Sequence, residues 1–315
     1  YFRIFGLFII VLQSLLACKI IKLFTNNKNL IVITAILSIV SLGTYQGARI
    51  TASSVSGLIT LLIIFYHLSY LFNNKKWKLF LIGGLFAISL LTKHNVFVMD
   101  ALGNGILIIV NLIIGSFNDK KISFKYLFII LFSFLLVLCF YFISISTYYD
   151  FVIKDTILSI FNYHGSDIAV SFPSPIDLIN SSYLQNIFSV FLYSIFPLIL
   201  SAIFIIRHSI KQKKPFSLAY SFIFAITVFH YCLVYPLSDY SHYVRATVLY
   251  PVSFSLMLLY IYKHKYYFPS FLLLFSLILH LYIVPVNMYS SLKKLIKSEV
   301  SDLPYHKYIV KSSDE

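Results

Sequence analysis

Three basic residues stand at the ends of apolar runs, where a cation is expensive unless something anionic or aqueous meets it. Lys93 and the adjacent His94 lie in a short polar stretch between the two apolar arms of residues 79–115, and Arg49 and Arg245 follow or precede other apolar runs. Ammonium and guanidinium groups both bind phosphate oxygens, so their convergence would form an anion site. The alternative is that each is an interfacial anchor whose charged end reaches for the headgroups.

Carboxylates that could activate a hydroxyl group are scarce, because the chain has only 11 Asp and Glu residues. Asp239 is the best placed as a general base, since His242 and Arg245 follow it closely. The alternative is that Asp239 pairs with Arg245 in a solvated loop. Asp100 lies inside an apolar segment about two turns after Lys93, so we expect it to pair with a cation or to face a cavity.

Histidines within apolar segments have no metal-ligand spacing among them. We interpret His67, His230 and His280 as buried, hydrogen-bonded residues. We expect no cofactor and assign no metal ligand, although the sequence leaves a divalent metal open. The chain has no glycine-rich phosphate loop, zinc-protease motif or nucleophile elbow. A nucleotide is therefore not expected to supply energy through this chain.

The composition predicts the elements that must position these residues. The chain is 59% hydrophobic and only 11% charged, which is typical of an all-α polytopic membrane protein and excludes an ordinary soluble domain. The net charge of +14 comes from basic residues in short loops between apolar segments, so it does not indicate nucleic-acid binding.

Apolar runs long enough to cross a bilayer predict about ten transmembrane helices within residues 1–288. One longer loop, 148–185, contains a segment with apolar residues at helical spacing that would suit an interfacial helix. Residues 289–315 form a polar tail. The predicted spans are 4–24, 30–47, 54–72, the two arms of 79–115, 126–147, 186–206, 216–235, 246–262 and 268–288.

The loops between these ten spans are alternately rich and poor in lysine and arginine. Short basic loops stay in the cytoplasm, so the lysine-rich loops, such as residues 75–78 and 120–125, are predicted to be cytoplasmic. The same rule places Lys93, Arg49, Arg245, the 148–185 loop and the 289–315 tail on the outer face. A bacterial cytoplasmic membrane, with the active side facing outward, is the predicted location.

The order of the predicted spans and loops resembles that of the multi-spanning glycosyltransferases of the GT-C class, which include protein mannosyltransferases and lipid A aminoarabinose transferases. Residues 83–93, GGLFAISLLTK, resemble a glycine-rich hairpin of that class that ends in Thr-Lys. Gly47-Ala48-Arg49 resembles its second outer loop, although the aspartate often found there is missing. His242-Tyr243-Val244-Arg245, followed by Pro251, loosely resembles its late arginine-proline segment.

This resemblance implies transfer of a sugar from a polyprenyl-phosphate donor to a lipid, glycan or protein acceptor on the extracytoplasmic face. Lys93, Arg49 and Arg245 would then bind the donor phosphate, with His94, Asp239 and His242 as polar support. The catalytic carboxylate of the class lies in the first outer loop, so we expect it upstream of Tyr1 and assign no catalytic residue. Membrane lipids are the other expected partners.

Two alternatives stay open at this point. A transporter or flippase of lipid-linked saccharides would share the cationic cavity but should have broken helices and charges midway through its spans. Apart from Asp100 and the histidines, the predicted spans lack such charges. A non-catalytic membrane scaffold would leave Lys93 and Arg49 without a role.

Overall fold

The computed structural model describes five stretches of chain: residues 2–46, 52–73, 75–114, 124–149 and 247–264. It also describes single residues of two further segments, namely Ile223, Ile226, Thr227, Phe229, His230, Ser270, Leu274, Leu277 and Ile278. Within these residues the secondary structure is entirely helical, which confirms the predicted all-α class for this part of the protein.

Seven α-helices and one short 3₁₀ helix form the described structure. Three of the helices are long and apolar enough to cross a membrane, over Phe5–Lys22, Ser54–Asn73 and Tyr126–Thr147, and three shorter apolar helices accompany them. The α-helices are α1 Phe2–Lys22, α2 Lys28–Gln46, α3 Ala52–Asn73, α4 Trp77–Thr92, α5 His94–Ile114, α6 Phe124–Tyr149 and α7 Tyr250–His264, with the 3₁₀ helix at Thr247–Leu249.

These α-helices coincide with seven of the ten predicted spans. The seventh, eighth and tenth predicted spans fall wholly or largely outside the described residues, so the count of ten is not confirmed. The 148–185 loop beyond Tyr149 and the 289–315 tail also lie outside them.

Helix α3 lies between two hydrophobic cores. Its residues Leu61, Ile64 and Leu68 pack into a core with α1, α2 and α7, whereas Ile59 and Ile63 pack into a second core with α4 and α6. Accordingly 56% of its membrane-length segment is buried, against only 6% of that of α6. Helix α3 is therefore the centre of the described bundle, and α6 is at its periphery.

Polar side chains fix the ends of several helices. Asn27 caps α2, because its Oδ1 accepts hydrogen bonds from the backbone N–H groups of Asn29 (3.0 Å) and Leu30 (3.4 Å). Lys78, at the start of α4, is buried and donates from Nζ to the carbonyl oxygen of Ser69 (2.9 Å) and to its hydroxyl. One lysine of the predicted cytoplasmic cluster thus ties α4 to the last turns of α3.

Helices α4 and α6 approach each other closely at Gly83. A Cβ atom at this position would lie 2.3 Å from the carbonyl oxygen of Ile130 and 2.8 Å from Cβ of Ser133. Ser133 also donates a hydrogen bond to the carbonyl oxygen of Phe80 (2.6 Å). Small residues commonly allow such close contact between helices in membranes. The first glycine of the GGLFAISLLTK segment therefore serves helix packing.

Candidate functional site

Lys93 forms a one-residue joint between α4 and α5. Its backbone is extended (φ −161°, ψ 97°), and its N–H group donates to the carbonyl oxygen of Ser89 (2.8 Å) as the last hydrogen bond of α4. Its own carbonyl oxygen accepts from the N–H groups of Val96 and Phe97 (both 3.1 Å), which begins α5. The Lys93 side chain is half-buried, whereas the adjacent His94 is exposed. The joint therefore holds a cation at the point where α4 and α5 meet, which we call the corner.

A buried hydrogen bond also connects α4 and α5 near this corner. Ser89, four residues before Lys93 on α4, donates from its hydroxyl to Oδ2 of Asp100 on α5 at 3.4 Å. Asp100 follows Lys93 by seven residues, roughly 10 Å along a helix axis. The two helix arms that meet at Lys93 are thus connected a second time below the joint, by two completely buried side chains.

Asp100 is the centre of a buried group that we name the Asp100 cluster, formed by Thr60, Ser89, Asp100 and His230. Thr60 donates to Oδ2 of Asp100 at 3.1 Å, and Nε2 of His230 lies 2.8 Å from Oδ1. All four side chains are buried. The cluster joins α3, α4 and α5 to a helical residue 130 positions further along the chain, and His230 is thus the partner of Asp100 on that segment.

His230 has one nitrogen that is not used in this cluster. Its Nδ1 atom is buried and has no hydrogen-bond partner in the described part of the protein. Inside a membrane bundle a buried carboxyl group is costly without a polar partner, and His230 supplies one to Asp100.

A second buried group, the His67 cluster, consists of His67, Asn104 and Tyr126. Nδ2 of Asn104 donates to the backbone carbonyl oxygen of Asp100 at 2.7 Å, which orients the amide so that its Oδ1 faces Nδ1 of His67. Nδ1 of His67 therefore carries the hydrogen, and Nε2 accepts one from the hydroxyl of Tyr126. This confirms that His67 is buried and hydrogen-bonded.

The two clusters follow a narrow polar line on α3. Thr60 and His67 are seven residues apart, two helical turns, and they lie between the two apolar faces of that helix. Asp100 and Asn104 are one turn apart on α5 and meet this line. A line of hydrogen-bonded polar side chains therefore runs between the two hydrophobic cores.

A cavity of about 870 Å³ lies beside the His67 cluster, between α4, α5 and α6. One end is aromatic, because Phe97 stacks on Phe134 (ring centroids 5.6 Å apart) and meets Phe86 edge-on at 6.1 Å. Asn104 and Tyr126 line the other end. About two helical turns of α5 separate the two ends, and the aromatic end is one turn from Lys93.

The predicted anion site is described only in part. The structure places Lys93 at the corner and His94 next to it, as the first residue of α5. The other four predicted site residues lie outside the described residues, namely Arg49, Asp239, His242 and Arg245. His280, which we interpreted as buried, also lies outside them. The convergence of the three cations therefore stays a prediction.

Sequence reasoning missed Thr60, Ser89, Asn104 and Tyr126 as members of the buried clusters. Two signals were available: Asn104 follows Asp100 by one turn, and His67 follows Thr60 by two turns on an apolar helix. In neither case does the sequence show which partner helix they meet. Within the described residues, no group of three or more His, Cys, Asp or Glu side chains could hold a metal ion.

Comparison with known proteins gives no further guide. No protein-family model, curated protein or solved structure matches the chain.

Proposed function

We propose that the chain is part of a membrane glycosyltransferase that takes a sugar from a polyprenyl-phosphate donor and transfers it on the extracytoplasmic face. The observation that supports this most is the corner at Lys93, where a half-buried cation joins two apolar helices. An anionic headgroup at the membrane surface would offset the cost of that cation. Lys93 would bind the donor phosphate, with Arg49 and Arg245 as further ligands.

The hydrogen bond between Ser89 and Asp100 is consistent with phosphate binding by Lys93. Binding energy improves when the binding group is held in place before the ligand arrives. The bond between Ser89 and Asp100 connects both arms of the corner, and the surrounding Asp100 cluster is buried. Asp100 would thus position Lys93 without touching the donor.

Transfer of sugar from a polyprenyl-phosphate donor tests the proposal in membranes that contain the protein. Lys93→Ala and Arg49→Ala should each lower the rate by tenfold or more, on the order of 1.4 kcal/mol of lost phosphate binding or worse. Lys75→Ala is the control, because Lys75 is an exposed lysine next to the opposite end of α4. Unchanged rates in both Lys93→Ala and Arg49→Ala would remove the donor-phosphate assignment.

A transporter or flippase of lipid-linked saccharides is the second candidate, and the Asp100–His230 pair favours it. Ionisable pairs inside membrane bundles commonly mark transport pathways. A transporter would move the lipid-linked saccharide between the leaflets of proteoliposomes, with loss of movement in Asp100→Asn. A transferase would instead retain its product on the side where the sugar is transferred.

A further inference from the structure

We propose that the cavity between α4, α5 and α6 binds a neutral membrane lipid, an apolar chain that ends in a hydroxyl group. This inference does not rest on the proposed function, because it concerns a separate site whose described lining residues are uncharged. It follows from the position of the cavity mouth, from the chemistry of its walls and from the unused hydrogen-bonding capacity at its polar end.

The cavity reaches the exposed side of α6 in the described part of the protein. Phe128 and Leu131 line the cavity, yet they are 68% and 55% exposed. Most of α6 is exposed in the same way, as expected of a helix that faces hydrocarbon. A ligand would therefore enter sideways from the bilayer.

The walls select an uncharged ligand. Phe86, Phe97, Leu131 and Phe134 are apolar, and all of the lining residues that the structure describes are uncharged. The volume of about 870 Å³ lies within the usual range of small-molecule sites, which are mostly apolar with a few placed polar groups. A charged headgroup would lose its hydration here without a compensating partner.

The polar end can bind a hydroxyl group. The amide nitrogen of Asn104 has two hydrogens, and the carbonyl oxygen of Asp100 takes one of them. The Tyr126 oxygen donates its hydrogen to His67 and keeps a lone pair as an acceptor. Among the described residues, one donor and one acceptor are thus left over. A hydroxyl group can use both of them, a carbonyl group can use only the donor, and a hydrocarbon end can use neither.

Gly105 offers a way to fill this space without disturbing the fold. It lines the cavity, and a Cβ atom added there would meet no atom within 4 Å. A leucine at this position should occupy the cavity and leave the helix contacts intact. Leu102 is the matched control, because it is an exposed residue of the same helix that does not line the cavity.

Equilibrium binding of three radiolabelled probes of equal length, a long-chain alcohol, a methyl ketone and an alkane, to the purified chain in micelles tests the site. We expect saturable binding in the order alcohol, ketone, alkane, with the alcohol about tenfold tighter than the alkane for two added hydrogen bonds. Gly105→Leu should weaken all three at least tenfold without lowering the melting temperature, and Leu102→Ala should change neither. Gly105→Ala should give a smaller loss and serves if Gly105→Leu does not fold.

Three results would overturn the proposal. Probes that bind no more tightly than they partition into protein-free micelles would show that there is no site. Equal affinity for alcohol and alkane would show that Asn104 and Tyr126 do not recognise the ligand. A Gly105→Leu variant that loses stability while probe binding persists would show that another part of the chain fills the space.

Discussion

Helices α3 and α6 are both long and apolar, yet they play opposite parts in the described bundle. Helix α3 contributes to two cores and has a polar line of Thr60 and His67 between them. Helix α6 faces outward and turns only a few residues inward, among them Tyr126 and Ser133. The comparison shows that polar side chains with partners on other helices, such as Thr60 and His67, lie on internal faces, whereas Ser144 of α6 bonds to the backbone of its own helix.

The difference has a physical reason. In hydrocarbon, a polar side chain costs free energy unless it is hydrogen-bonded, so it is stable only where a partner meets it. The partners of the α3 line come from α5 and α6, and Asp100 extends the network to Ser89 of α4 and to His230. Loss of one of these polar residues leaves a buried partner without its hydrogen bond, so they should be the more sensitive to substitution.

The largest effect is expected for the centre of the Asp100 cluster. Asp100→Ala should destabilise the protein by about 3–5 kcal/mol, because it leaves Thr60, Ser89 and His230 buried without the carboxyl group that all three contact. Chemical denaturation in mixed micelles measures this loss. Asp100→Asn keeps the size and one acceptor oxygen and should lose less. Ser144→Ala, which removes only a bond within α6, should change stability by less than about 0.5 kcal/mol.

An equal loss of unfolding free energy in Asp100→Ala and Ser144→Ala would contradict the difference between the centre of the bundle and the peripheral helix α6.

A smaller effect is expected at the contact between α4 and α6, where two adjacent glycines give a matched pair. Gly83→Ala should cost about 1–3 kcal/mol, because its methyl group would overlap the carbonyl oxygen of Ile130. Gly84→Ala should be close to neutral, since its methyl group would lie 3.6 Å from Val137 and 3.7 Å from Ser133. The same denaturation assay compares the two variants. Similar values for both would show that the helices can separate at Gly83 at little cost.

Sequence patterns predicted the local parts of this structure well. Apolar run length gave the helices near Lys93 to within about two residues, because polar residues border each apolar run. The polar stretch at residues 92–95 predicted the break between α4 and α5. The burial of His67 followed from its apolar surroundings, since a polar group there requires a partner.

The pairing of distant residues could not be predicted in the same way. His230 meets Asp100 across 130 residues, and Tyr126 meets His67 across 59. Such pairs depend on which helices are neighbours, and periodicity along one helix does not contain that information. The cavity has the same origin, because its lining comes from three helices.

The most direct test of the central claim is the affinity of the purified protein for polyprenyl phosphate in lipid nanodiscs. Lys93→Ala should weaken binding at least tenfold, because it removes a charged phosphate ligand from the corner. Lys75→Ala, which removes an exposed lysine near the other end of α4, should leave the affinity within about twofold. Equal affinities for the wild type and Lys93→Ala, or equal losses in both variants, would contradict a phosphate site at Lys93.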